Sequence, residues 1–236
     1  MLTLGFIDDG IGVCAAIGKV ARQLPCKCIA LVPRNYSFVG KRTSELNCFG
    51  TDAVSTLFSL GCNGVVFSSC LLSLLCKRSF LQNPSVYFCE VPLLHASSYT
   101  ASSVVVFAEK PLLRTLRYGT AIAVDSHGFD GVADTGNQRQ ICNFIEDKLR
   151  PHFGKFDCIA LSSGSMSLNK SCFKMACPNV QIFDCFDGVA RKLKRNFRKR
   201  SVGEFSVHFV GTDGKERTDL SHLAKLYFPA DDPFAY

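Results

Sequence analysis

Short apolar runs and amphipathic stretches alternate along almost the whole chain, and this alternation restricts the fold more than any other feature. An apolar run with no polar residue interleaved marks a strand buried on both faces. A helix after each strand brings the chain back in the same direction, so repeated units build a parallel α/β sheet. The pattern predicts strands at residues 3–7, 28–32, 64–68, 86–89, 104–108, 120–124, 157–161, 180–183 and 206–210. Helices are predicted over 12–23, 43–60, 70–82, 111–117, 139–152, 169–176, 186–198 and 219–227. At 236 residues the chain fits one large α/β domain or two smaller ones.

Two of the runs end alike. Val65-Val66-Phe67-Ser68-Ser69-Cys70 and Ile159-Ala160-Leu161-Ser162-Ser163-Gly164 each break from apolar residues into a pair of serines. The carboxyl ends of parallel strands are where open α/β sheets hold their ligands. The repeat therefore favours two similar halves, each contributing one turn to a site. The segment from Pro92 to Ser103, where serines and threonine cluster, and Arg200 to Glu204 read as joints. Asp125 to Gly136 reads as a long loop without regular periodicity, of a length often given over to function. His127 in it is a candidate base, or simply a solvated residue beside Asp125 and Asp130.

Composition narrows the function classes. Apolar residues make up 47% and charged residues 20%, as in an ordinary globular protein, and no apolar run approaches the length of a membrane span. The opening Met1-Leu2-Thr3-Leu4-Gly5-Phe6 does not read as the positive region and cleavage site of a secretory leader, and a cytoplasmic location is the expectation. The thirteen cysteines are scattered and odd in number, so they are not a disulfide framework. Cys26-Lys27-Cys28 has one residue between its thiols and no second pair at zinc spacing, so no metal site is expected.

The net charge of +7 is concentrated in Arg191, Lys192, Lys194, Arg195, Arg198, Lys199 and Arg200. Such a run suits phosphates or acidic lipid. The simpler reading is a solvated helix face, because Val189, Leu193 and Phe197 recur at spacing four and give that helix one apolar stripe.

Several segments, taken in order, carry a family resemblance. Gly5-Phe6-Ile7-Asp8-Asp9-Gly10-Ile11-Gly12, with a helix ending in Leu24-Pro25, is followed by Gly61-Cys62-Asn63-Gly64-Val65-Val66-Phe67-Ser68-Ser69-Cys70. Then come Phe156-Asp157-Cys158-Ile159-Ala160-Leu161-Ser162-Ser163-Gly164-Ser165, Asp184-Cys185-Phe186-Asp187-Gly188-Val189-Ala190-Arg191-Lys192-Leu193, and a last strand and helix from Phe205 to Phe228. In this order the chain resembles the glutamate racemases of the Asp/Glu racemase superfamily. The resemblance implies two similar flavodoxin-like α/β domains with parallel sheets, residues 1–93 plus 205–236 and residues 94–204, with a ligand cleft between them and no cofactor. It leaves a homodimer open.

In that family two cysteines flank the substrate, one removing the α-proton as thiolate and the other returning a proton from the opposite face. A thiol with a pKa near 8.5 serves both roles. The resemblance puts Ser69 and Ser163 at those two positions and keeps Asp8. Its substrate contacts fall on Asp9, Gly40, Cys70, Leu71, Glu109, Leu112, Gly164 and Ser165, most of which depart from the family pattern. Phe38-Val39-Gly40 keeps only the glycine of the family's Pro-Tyr-Gly.

A serine hydroxyl has too little anionic form near neutral pH to remove an α-proton without a strong neighbouring base. Cys70 is the one thiol next to either turn, and its alternative role is a small buried apolar residue at a helix start. The preferred expectation is a racemase-fold protein without normal racemase activity, keeping its cleft for a small amino-acid-like ligand or for an interaction. The alternatives are a working cofactor-independent glutamate or aspartate racemase supplying D-glutamate for peptidoglycan, and a nucleic-acid or protein binder acting through residues 191–200.

Overall fold

The computed structural model describes residues 1–34, 37, 38, 40–100, 102–116, 121–198 and 205–224. Val39, Thr120, Lys199, the segment from Arg200 to Glu204, and residues 225–228, on all of which the sequence reading placed something, lie outside the described residues. The strands are β1 (Thr3–Ile7), β2 (Lys27–Leu31), β3 (Gly64–Phe67), β4 (Val86–Phe88), β5 (Ser103–Ala108), β6 (Ile122–Asp125), β7 (Phe156–Leu161), β8 (Gln181–Phe183) and β9 (Ser206–Val210). The helices are α1 (Val13–Ala21), α2 (Thr43–Ser59), α3 (Cys70–Cys76), α4 (Leu93–Tyr99), α5 (Lys110–Leu113), α6 (Phe129–Ala133), α7 (Gln138–Leu149), α8 (Gly164–Leu168), α9 (Lys170–Ala176), α10 (Phe186–Phe197) and α11 (Thr218–Ala224).

These elements form two compact units, one of Met1–Glu90 with Phe186–Tyr236 and the other of Val91–Cys185. In the first, all strands run parallel in the order β4-β3-β1-β2-β9. In the second the order is β6-β5-β7-β8, again all parallel. Setting β5 beside β1, β6 beside β2, β7 beside β3 and β8 beside β4, the two orders are the same, with β9 as an extra edge strand in the first unit. Connections leave in opposite directions from β1 and β3 in the first unit and from β5 and β7 in the second. Those two places are where an open α/β sheet leaves a crevice beyond its strand ends.

The central strands are apolar throughout because helices cover both faces. Val104, Val105, Val106 and Phe107 are all fully buried or nearly so, as are Val65, Val66 and Phe67. In the first core Ile7, Leu31, Leu57, Val65, Phe67 and Leu72 pack together, and Phe67 stacks on Phe88 with ring centroids 5.3 Å apart. In the second, Phe107 meets Phe173 edge-on at 5.2 Å and Phe129 at 6.0 Å. Eleven of the thirteen cysteines are buried and act as small apolar core residues, while Cys48 is exposed.

Three short helices stand where the sequence reading had none. The Pro92–Ser103 joint contains α4, whose Leu93 and Ala96 are buried one turn apart while His95 and Tyr99 pack on the Phe183 ring at 5.0 and 5.4 Å. Serines lower the helical preference of the segment, and packing of the apolar turn overrides it. The Asp125–Gly136 loop contains α6, entered through Gly128 at φ 87° and fixed by the fully buried Phe129. The third is α8, between the second serine pair and Asn169.

The helix α10, expected in the second half of the molecule, falls with the first unit. Its Phe197 ring meets Tyr87 at 6.1 Å, Asn196 Nδ2 donates to the Tyr87 hydroxyl at 2.9 Å, and Asp187 pairs with Lys19 of α1 at 2.6 Å. Among the described residues no helix is long and apolar enough to cross a membrane.

Candidate functional site

The first Ser-Ser turn lies at the point where connections leave β1 and β3 in opposite directions. Ser68, fully buried, has its hydroxyl 2.9 Å from the carbonyl of Ile7 and 2.7 Å from Asp8 Oδ2 and shares its one hydrogen between them, so it latches the end of β3 to the end of β1. The other Asp8 oxygen accepts from the Asp9 backbone N–H at 2.9 Å. Burial, followed by the neighbouring Asp9 charge, pushes the Asp8 carboxyl well above its ordinary value, against the opposing effect of the Ser68 hydrogen bond. The same carboxylate, after burial itself, raises the Cys14 thiol. Such a perturbed carboxyl marks either a functional group or a structural network. Here its hydrogen bonds run to a strand end and to the adjoining turn.

Ser69 is the N-cap of α3, its hydroxyl accepting from the Leu72 N–H at 3.3 Å. The residue therefore satisfies one of the helix's unpaired donors, as serine commonly does at this position. Cys70 and Leu71 follow it into the first turn of α3, with relative exposures of 3% and 9%. Asp9 reaches across to the segment after β2, accepting from the Phe38 N–H at 2.9 Å. That segment also holds Gly40, at φ 82°, a conformation that favours glycine.

Arg217, to which the sequence reading gave no role, anchors the start of the same segment. Its Nη1 donates to the carbonyls of Val32 and Pro33, both at 2.9 Å, while Asp219 accepts from its Nε and Nη2. The guanidinium in turn holds the Asp219 carboxyl down to about 2. No motif announces this residue in the sequence. Its significance comes from the pairing of β9 with β2.

The second Ser-Ser turn repeats the first in backbone and differs in its side-chain partners. Ser162 donates to the Phe107 carbonyl at 3.1 Å, the counterpart of the Ser68 bond to Ile7. Ser163 is the N-cap of α8, accepting from the Met166 N–H at 3.4 Å. By strand register, Phe107 opposite Leu161 corresponds to Ile7 opposite Phe67. The place of Asp8 is then taken by Ala108, fully buried, and that of Asp9 by Glu109. Glu109 stands at the N-cap position of α5, in which Leu112 is buried at 4% exposure, while Gly164 is the first residue of α8.

A short chain of hydroxyls leads from Ser163 to a carboxylate. Ser165 Oγ lies 3.0 Å from Ser163 Oγ and donates its hydrogen to Asp130 Oδ1 in α6. A hydroxyl has one hydrogen to give, so the Ser163–Ser165 bond uses the Ser163 hydrogen. The Ser163 oxygen, taking Met166 N–H and giving its own hydrogen to Ser165, keeps lone-pair capacity only. The Ser69 O–H, by contrast, has no acceptor among the described residues. The two hydroxyls, equivalent by topology, therefore differ in spare hydrogen-bonding capacity, a donor on the first turn and an acceptor on the second.

Neither hydroxyl has a base beside it. The His127 backbone N–H donates to Asp125 Oδ1 at 3.1 Å, and its imidazole makes no hydrogen bond with a described residue. Lys170 is engaged by the buried Asp184. No group of His, Cys, Asp and Glu suited to a metal ion occurs among the described residues.

The structure thus joins Asp8 to its turn through Ser68, and Ser163 to Ser165, as pairs. Sequence reasoning missed the roles of Ser68, Ser162 and Asp130. The first two were legible as the first serine of each repeated pair. Asp130 carried no signal, because only the fold of α6 and α8 brings it to Ser165.

No family model matches the sequence, and no curated protein is similar to it at a significant level. Solved structures are similar along most of the chain. Glutamate racemase isoform RacE1 from Bacillus anthracis superposes with a TM-score of 0.80 at 14% identity, over 96% of this chain and 93% of that one. Glutamate racemase from Thermus thermophilus, in complex with beta-chloro-D-alanine, gives 0.80 at 14% identity over 95% and 92%. The Francisella tularensis glutamate racemase, in complex with D-glutamate, gives 0.78 at 12% identity over 96% and 93%. The chain therefore has the two-domain α/β fold of the glutamate racemases.

Proposed function

We propose that the chain is a glutamate-racemase-like protein that binds a small amino-acid-like ligand and does not racemise it. The observation that carries this reading is the state of the two serines. Each caps a helix, accepting a backbone N–H at 3.3 or 3.4 Å, and neither has an imidazole or amine within hydrogen-bonding reach among the described residues. Proton abstraction from carbon by an unactivated hydroxyl is out of range near neutral pH, and general-base catalysis is worth about 10² to 10⁴ fold. Two such losses leave no path for inversion. Cys70, the nearby thiol, is buried at the start of α3 and would supply one base in place of two.

Binding asks for less than catalysis does. Each turn keeps polar groups beyond its strand ends: the Ser69 O–H on one, and the Ser163 oxygen with Asp130 on the other. Two of the similar racemases were solved with D-glutamate and beta-chloro-D-alanine, which motivates an amino acid as the ligand class. This reading calls for no cofactor.

The test is α-proton exchange of L- and D-glutamate and of L-aspartate in deuterated water, followed by NMR, alongside melting curves in the same amino acids. We expect no exchange by the wild-type chain and a melting temperature that rises with one of them. At a ligand concentration one hundred times Kd the stabilisation is about 2.7 kcal/mol. Exchange by the wild type, or melting curves unmoved by every amino acid, overturns the reading. Exchange appearing only in the Ser69→Cys, Ser163→Cys double variant supports it.

A further inference from the structure

The helix α10 carries a charge that neither its packing nor the strand-end turns use. Its apolar residues Phe186, Val189, Ala190, Leu193 and Phe197 are all buried in the first unit, and its amino end is tied down by the Asp187–Lys19 pair. Arg191, Lys192, Lys194 and Arg195, with Arg198 one residue past the end of the helix, are left on the exposed side. Residues 188–198 contain no Asp or Glu. Among the described residues Lys192, Lys194, Arg195 and Arg198 enter no ion pair, and Arg191 Nε donates only to the Asp187 carbonyl.

At 1.5 Å rise per residue, Arg191 and Arg198 are about 10 Å apart along the helix axis. All five charges therefore lie within about one Debye length at 0.1 M salt and act as one positive field. Cations near a helix carboxyl end complement its macrodipole, but that effect is confined to the last turn and amounts to about half a charge. Most of this charge has no intramolecular use.

We propose that the exposed face of α10 binds the phosphate backbone of nucleic acid without regard to sequence. Arg191, Arg195 and Arg198, at i, i+4 and i+7, form one row along the helix, and guanidinium groups suit bidentate contact with phosphate. The exposed residues of the face are Gly188, Asn196 and the five cations. None is aromatic, so the face offers no platform for stacked bases and contacts only the backbone. A membrane surface fits less well, because a helix lying in a bilayer interface inserts an apolar face, and that of α10 is spent inside the protein.

Fluorescence anisotropy of the full chain with a labelled 25-base-pair DNA duplex, between 50 and 200 mM salt, tests this. Four phosphate contacts predict an affinity falling about a hundred-fold across that range. The variant Arg191→Gln, Lys192→Gln, Arg195→Gln, Arg198→Gln is expected to keep the wild-type melting temperature and lose at least ten-fold in affinity. The corresponding change of the three arginines to lysine retains the salt dependence. Salt-independent or absent wild-type binding overturns the proposal, as does wild-type affinity in the glutamine variant. So does binding of phosphatidylserine vesicles in the absence of duplex binding. The substituted side chains lie outside both serine turns, so this outcome and that of the amino-acid experiment are independent.

Discussion

The two serine turns share a backbone and differ in what they bury. In the first, Ser68 and Asp8 form a closed network with strand ends on both sides, and the carboxyl has 5% exposure. In the second, Ser162 keeps the strand-end bond beside a contact with the Met166 sulfur at 3.9 Å, Ala108 stands where the carboxyl would be, and the acid, Asp130, is supplied from an exposed helix start through Ser165. The same topology thus places its acid beneath one turn and above the other. A buried acid stiffens a strand junction. An exposed one is free to meet a ligand.

The largest expected effect comes from forcing the second turn to copy the first. Ala108→Asp places a carboxyl at a fully buried position that was built without one. Ser162 supplies one donor, but no residue is positioned for the rest, and an uncompensated buried charge costs about 3–5 kcal/mol. Urea unfolding reads this directly, and a loss below about 1 kcal/mol would show that the two turns are interchangeable.

The comparison is sharpened by removing each latch hydroxyl in turn. Ser68→Ala removes a hydroxyl whose one hydrogen is shared between the Ile7 carbonyl and a buried carboxyl, and is expected to cost about 2–3 kcal/mol. Ser162→Ala breaks one bond to a carbonyl and is expected to cost about 1 kcal/mol. Equal losses in the two variants would mean that Asp8 adds nothing to its latch.

The smallest effect is a slope. The Asp8 pKa is raised in the folded chain above the ordinary 3.8, so between those values the folded state binds more protons than the unfolded one. Stability contributed by this group is then highest at acid pH and declines as pH rises through the folded pKa. Melting temperature against pH above 3.8 is expected to show this decline in the wild type and a flatter curve in Asp8→Asn. Parallel curves would remove Asp8 as the source.

Much of this architecture is legible in the sequence. Every predicted strand has its counterpart within a residue or two, because parallel strands covered on both faces must be continuously apolar. The short helices α4, α6 and α8 were not legible. Each is held by a few long-range contacts, such as Tyr99 on Phe183 and Phe129 on Phe107, and not by a periodic stripe of its own. Of the candidate site, Asp8, Ser69 and Ser163 could be found from their place at strand ends. Ser68, Ser162 and Arg217 act through backbone carbonyls of distant strands, and no local pattern encodes those.

The sequence by itself determined the alternation of strand and helix, the repeated serine turns and the absence of thiols at both, since these rest on residue type and spacing along one chain. Only the tertiary structure decided that the repeated turns carry unlike partners, a buried carboxyl joined through Ser68 and an exposed one joined through Ser165. The reason is that hydrogen bonds and burial are properties of neighbours in space. Asp130 and Ser165, like Asp8 and Ser68, become neighbours only when the sheets form.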